Sequence, residues 1–210
     1  MRKLVFLLIW LLVSTEAIAK TDISICLDKG FWYPFTFVKD GNAAGMHIDI
    51  ISKALSKLGY TTKFIPLPWK RCLKEAKTGN VDGIATASYK KERAEFLNYP
   101  LDAALTKRSE WRVMQVEYVV VTPIENDYEF NGDIMTIPTP VLAPSGYSIA
   151  ADLKKKGLIV DDAAPGDINN VKKLIRVKNG AMVSIPGVIS ALAKNPEFRG
   201  KLKINKIPLK

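Results

Sequence analysis

The side chain best suited to hold a small anion is Arg93, which closes the stretch Thr86-Ala87-Ser88-Tyr89-Lys90-Lys91-Glu92-Arg93. A guanidinium offers a planar fork of donors that matches a carboxylate in two parallel bonds. Hydroxyls from Thr86 and Ser88 at a strand end, with free amides at a helix start, would complete an anion cradle. The competing reading is a surface arginine paired with Glu92 or Glu95. Trp32 and Tyr33 precede Pro34 in a loop, where aromatic rings either stack on a ligand or pack the loop itself. Trp69 opens an apolar-periodic stretch and belongs either to the same wall or to the core.

Catalytic constellations are thin. His47 is the one histidine, in Gly45-Met46-His47-Ile48-Asp49, so no Ser/His/Asp set can be built, and a surface or satisfied histidine is the expectation. Asp49 and Asp82 form a nominal carboxylate pair, but each stands where a helix start or strand start uses an acid structurally. Gly-rich phosphate loops and Cys-x-x-Cys spacings are absent. The reading is therefore not an enzyme, with no cofactor and no metal. Cys26 and Cys72 are the only cysteines, and they are either a disulfide or two small buried hydrophobes.

The elements that must position these groups follow from periodicity. Ile23 to Leu27 reads as a first strand before a Lys29-Gly30 turn. Met46, Ile50, Ile51, Ala54, Leu55 and Leu58 recur at helical spacing and stop at Gly59. Thr61 to Leu67 is extended, a second helix runs from Trp69 towards Gly79, and Val81 to Ser88 reads as a strand. Strand, helix, strand, helix, strand predicts a largely parallel α/β sheet, which binds ligands at the carboxyl ends of its strands. Glu117 to Thr122 is a strongly β run and the candidate crossing between two lobes. Ser148 is read as the cap of a later helix that stops at Gly157, and Asp167 as the cap of a further one.

Compartment and charge narrow the partners. Arg2 and Lys3, the apolar run Leu4 to Val13, and Ala17-Ile18-Ala19 make a cleavable secretory signal over residues 1–19. Ten apolar residues are too few to cross a hydrocarbon core of about 30 Å. The 210-residue chain carries a formal net charge of +10, with scattered rather than clustered lysines. A secreted chain of that pattern does not point to nucleic acid. Its 48% hydrophobic and 25% charged residues are those of a globular protein.

Four short motifs then stand in order: Gly45-Met46-His47-Ile48-Asp49-Ile50, Pro68-Trp69-Lys70-Arg71, Gly79-Asn80-Val81-Asp82-Gly83, and Ser88 through Glu92-Arg93. Together they resemble the extracellular solute-binding proteins of family 3, the polar amino-acid binding proteins of bacterial ABC transporters. The likeness is strongest to a divergent proteobacterial branch with Pro-Trp-Lys-Arg-Cys and a downstream Gly-Tyr-Ser, here Gly146-Tyr147-Ser148. The resemblance implies a two-lobed, periplasmic-binding-protein-like (type II) α/β fold, with residues 20–116 as lobe 1 and 117–210 as hinge strand and lobe 2. It implies that Arg93 grips a ligand carboxylate, helped by Thr86 and Ser88, under aromatic cover near Trp32 and Tyr33. Trp69, Tyr147 and Ser148 complete the implied ligand set. It also implies a Cys26–Cys72 disulfide.

The expected protein is thus a monomeric periplasmic receptor that captures a small polar solute, an amino acid or related carboxylate, for an inner-membrane ABC permease. The alternatives are an enzyme on the same scaffold, dehydratase-like, or a signalling or degenerate relative that does not serve transport. Two departures from the family pattern stand out. The stretch Gly180 to Val188 lacks the acid that meets a ligand ammonium in amino-acid binders, so either another acid such as Asp167 serves or the solute is neutral or anionic. The chain also ends at Lys210, where family members return to lobe 1, so a shortened C-terminus is expected.

Overall fold

Asp22–Asp28 form β1, the central strand of a three-stranded parallel sheet in the computed structural model, which describes residues 22–105 and 109–209. The expected secretory signal lies outside the described residues. Thr61–Leu67 form β4 and Gly83–Ile84 form β5, giving the order β4-β1-β5. Between β1 and β4 run a small hairpin, β2 (Phe37–Lys39) and β3 (Asn42–Ala44), and helix α1 (Met46–Lys57). Helix α2 (Trp69–Lys77) connects β4 to β5.

Strand alternation divides this lobe cleanly. Ile25 and Leu27 point to one face and pack with Ile48 and partly buried Ile51 and Leu55 of α1. Cys26, between them, points to the other face, where it joins Cys72 of α2 in a disulfide, beside Trp69 and Val81. The strand expected over Val81–Ser88 is shorter. Only Gly83 and Ile84 pair with Ile25 and Cys26. Ala85 still donates to the Cys26 carbonyl at 2.8 Å, but Thr86 takes φ 61°, a left-handed conformation that ends extended pairing.

The second sheet has five strands in the order β10-β6-β9-β7-β8. They are β6 (Tyr118–Pro123), β7 (Val141–Leu142), β8 (Val160–Asp161), β9 (Ala181–Ser184) and β10 (Leu202–Leu209). The β run expected near Glu117–Thr122 is β6, which lies antiparallel between β9 and β10. β7 is parallel to both β8 and β9. Val119, Val121 and Met182 enter one apolar cluster, and Val120, Ala181 and Val183 enter the other. An unbroken Val-Val-Val run is what a strand covered on both faces requires.

Three helices cover this sheet: α3 (Ser148–Lys155), α4 (Gly166–Val177) and α5 (Pro186–Ala193). Two capping expectations are corrected here. Tyr147, not Ser148, is the N-cap of α3, and Ser148 is its first helical residue. Pro165 precedes α4, which places Asp167 inside the first turn with its carboxylate turned to Ser184 rather than to the helix end. Among the described residues no helix is long and apolar enough to cross a membrane.

Candidate functional site

The site is built where the loops leaving β1 and β5 meet the turn that opens α3. Gly45 begins α1 at φ 119°, and a Cβ there would collide with the Phe35 carbonyl, so the loop Phe31–Phe35 is folded tightly against the helix start. Met46 and His47 donate backbone hydrogen bonds to Pro34 and Phe35, each at 3.0 Å. This loop also reaches the other lobe, because Phe31, Trp32 and Phe35 pack against the Val119/Met182 cluster.

A cavity of about 730 Å³ opens between the two sheets. Binding sites for small molecules span about 300–1,000 Å³. Of the residues singled out from sequence, Trp32, Trp69, Thr86, Ser88, Arg93, Tyr147 and Ser148 line it. Tyr33 is not part of the lining. It is 44% exposed and sits between Phe31 and Phe37, with ring centroids 5.8 and 5.2 Å away.

Arg93 is buried, so the surface reading of this arginine does not hold. Its Nη1 donates to the Ser88 carbonyl at 3.0 Å, and its Nη2 crosses between the lobes to the Gly146 carbonyl at 3.1 Å. The guanidinium lies over the Trp69 ring at 5.2 Å, and Trp69 Nε1 donates to the same Gly146 carbonyl at 3.0 Å. Two donors from the first lobe therefore converge on one oxygen of the second. Burial lowers the Arg93 pKa from its ordinary value, and the tyrosines and acids around it oppose that shift. Ser88 takes part through its carbonyl, which also accepts from the Tyr99 hydroxyl at 3.1 Å. Thr86 turns its hydroxyl onto the Ala85 carbonyl at 2.6 Å.

Other groups complete the seam. Tyr147 donates its hydroxyl to Asp28 Oδ2 at 2.8 Å, again from one lobe to the other. Tyr118 is half-buried and hydrogen-bonded to Ser148, and burial of its hydroxyl pushes it well above the ordinary range. Lys90 forms an ion pair with Asp152 at the rim. Asp28 was missed from sequence, since a strand-end acid before Lys29-Gly30 looks like turn chemistry. Its bond to a residue 119 positions away has no local signal. Asp82 is structural, as expected: its Oδ2 accepts from the Ser24 amide and hydroxyl at 2.8 and 2.6 Å.

His47 departs from the expected surface or satisfied histidine. It is 2% exposed, stacked on Phe35 at 5.3 Å and edge-on to Trp32 at 5.7 Å, and its Nδ1 has no hydrogen-bond partner. Burial lowers its pKa below the ordinary 6.5, which favours the neutral ring.

Residues 23–108 match the family model of bacterial extracellular solute-binding proteins, family 3. No curated protein matches the chain in sequence. Among solved structures, ArgBP from T. maritima in its holo form is similar with a TM-score of 0.72 at 19% identity, covering 90% of this chain and 79% of that one. An ancestral arginine-binding protein bound to arginine gives a TM-score of 0.70 at 18% identity, covering 88% and 78%. A binding component of an ABC transporter from Wolinella succinogenes, complexed with lysine, gives 0.66 at 18% identity, covering 91% and 79%. Over residues 23–108 the chain carries the sequence pattern of the family-3 extracellular solute-binding proteins, and its described residues have the two-lobed fold of such binding proteins.

Proposed function

We propose that this protein is a periplasmic receptor for a small polar solute bearing a carboxylate, an amino acid or a close relative of one. The observation that carries the reading is Arg93. It is a buried guanidinium at the cavity wall, backed by Trp69, with two donors aimed at a single oxygen between the lobes. A ligand carboxylate that replaces the Gly146 carbonyl there gains the charge-assisted bonds a neutral carbonyl cannot make. Trp32 and Trp69 cover its body, and Tyr147 and Ser148 close from the second lobe. The similar structures with arginine and lysine bound support an amino acid as the first class to test.

In this reading residues 1–19 are a cleaved signal, residues 20–116 form lobe 1, and residues 117–210 form the hinge strand and lobe 2. The protein acts as a monomer without chemistry, cofactor or nucleic acid, and the closed form is what an inner-membrane ABC permease recognises. Closure then needs only a ligand that prefers the closed state.

The test is a thermal-shift screen of the purified protein against amino acids, small carboxylates, amines and short peptides. A ligand at 100 times its dissociation constant adds about 2.7 kcal/mol of stability. The expected result is a selective hit among the carboxylates that disappears in Arg93→Ala while the variant still melts cooperatively. Equal affinity in Arg93→Ala would overturn the site.

A further inference from the structure

Two carboxylates, one from each lobe, come near one another where the Gly30 and Gly166 backbones meet, close enough for the Asp28 charge to act on Asp167. Asp28 stands at the end of β1 and lines the cavity. Its Oδ1 accepts from the Gly30 amide at 3.0 Å, and its Oδ2 from the Tyr147 hydroxyl at 2.8 Å. Asp167, in the first turn of α4, is 3% exposed, and its Oδ1 accepts from the Ser184 hydroxyl at 2.6 Å. The backbones meet closely here, since a Cβ on Gly166 would lie 3.7 Å from the Gly30 Cα. The donors that reach both acids are neutral hydroxyls and amides. Among the described residues neither acid has a salt-bridge partner.

The surroundings do not supply the missing positive charge. Just after β1 there is Lys29, whose attraction is the weakest of the influences on Asp28. The turn before α3 brings Tyr147, and β6 brings Tyr118, both hydroxyls that burial keeps protonated. α3 adds a third acid, Asp152, which is already paired with Lys90. Arg93 acts on Tyr118 but is bonded to the Ser88 and Gly146 carbonyls. β9 offers only neutral Ser184. Two like charges brought near one another where one is buried and the other half-buried repel more strongly than in water, and one of them is readily neutralised instead.

We infer that closing the two lobes takes up a proton at the Asp28–Asp167 pair, so that the closed form is favoured as the medium becomes more acidic. Burial agrees with the geometry. It is the main cause raising the Asp167 carboxyl from 3.8 to about 7, with the Asp28 charge adding to the rise, and it raises Asp28 as well. An opened seam hydrates both acids and returns them towards ordinary values. The closed form therefore holds a proton that the open form lacks between the ordinary carboxylate range and about pH 7. Across that window the closed-to-open ratio changes by up to about tenfold per pH unit for one proton, and the advantage is lost as pH rises past it.

Small-angle scattering of the ligand-free protein at pH 5.5 and 8.0 tests this without any ligand. The expected result is a smaller radius of gyration at pH 5.5 in the wild type and one compact value at both pH values in Asp167→Asn. Because that variant removes a buried charge, Asp28→Asn, at the cavity surface, repeats the test if the first does not fold. His47 also titrates in the acid range, and persistence of the shift in both variants would assign it there and overturn the inference. A wild-type radius that does not depend on pH overturns it too.

The second arm rests on the receptor reading. Calorimetric titration of glutamine at pH 7, in phosphate and in Tris, measures protons taken up on binding. Uptake that vanishes in Asp167→Asn supports the pair, and binding without uptake sinks it. If no amino acid or carboxylate binds but the scattering shift stands, the receptor reading fails and the proton-linked seam survives.

Discussion

The two sheets solve the same packing problem with different materials. Each sends alternate residues to opposite faces, and each is covered by helices on both. The five-stranded sheet fills its two faces with eleven buried apolar residues each. The three-stranded sheet has four on each face among the described residues, and two of the four beneath α2 are Cys26 and Cys72. A covalent link thus stands where the smaller lobe lacks apolar volume. Small secreted domains with limited cores are stabilised in this way.

The contrast can be broken first at the disulfide. Its cysteines are 46 residues apart, and by loop entropy such a link stabilises by about 3–4 kcal/mol. Paired Cys26→Ala and Cys72→Ala substitutions should unfold the first lobe at lower urea and leave the second nearly as protected in hydrogen exchange. Uniform loss of protection across both lobes would show that they melt as one unit. In the larger lobe, Leu174 of α4 is fully buried, and Leu174→Ala should cost about 3 kcal/mol through lost burial and an unfilled cavity. Its exchange pattern should be the reverse of the disulfide variant's.

A smaller effect sharpens the seam between the lobes. Asp167 is raised to about 7 in the folded chain, against about 3.9 when unfolded. Between those values the folded state holds a proton that the unfolded state has released, so stability falls as pH rises from 4 to 7. The slope is at most about 1.4 kcal/mol per pH unit. The midpoint of thermal melting should follow that slope in the wild type and lose it in Asp167→Asn; a slope unchanged in the variant would place the proton elsewhere. The least effect is expected at Lys178–Glu125, an exposed ion pair at 2.9 Å. Exposed pairs contribute little, and Lys178→Ala should shift neither lobe's melting.

The same two regions differ in how much of them can be read from the chain. In the first lobe, β1, α1, β4 and α2 follow from local periodicity and from Gly59, Pro68 and Gly79 as punctuation. In the second, β10 was not anticipated. Its sequence, Leu-Lys-Ile-Asn-Lys-Ile-Pro-Leu, shows no steady alternation, and its register against β6 shifts between Ile204 and Pro208. Buried Asn205 is explained only by distant partners, the Phe130 amide and the Val120 carbonyl. Helix α5, headed by Pro186-Gly187, was not anticipated either.

The site divides along the same line. That Arg93 was worth watching followed from residue type. That it is buried depends on Gly146 and Trp69, which the chain brings to it from far away. Asp28 and Asp167 look locally like turn and cap residues, and neither the half-burial of the first nor its bond to Tyr147 of the other lobe has a local signal. Local signals therefore identified the walls of the cavity, whereas its electrostatics are a property of the assembled pair of lobes.

The Trp69 indole has one further consequence. Its N–H is bonded to the Gly146 carbonyl only while the lobes are together, and a guanidinium lies against its face. Opening replaces that carbonyl with solvent and withdraws the cation, so the emission of this one fluorophore should move to longer wavelength. The protein carries its own optical gauge of lobe separation, readable in real time without a label, and Trp69→Phe supplies the blank.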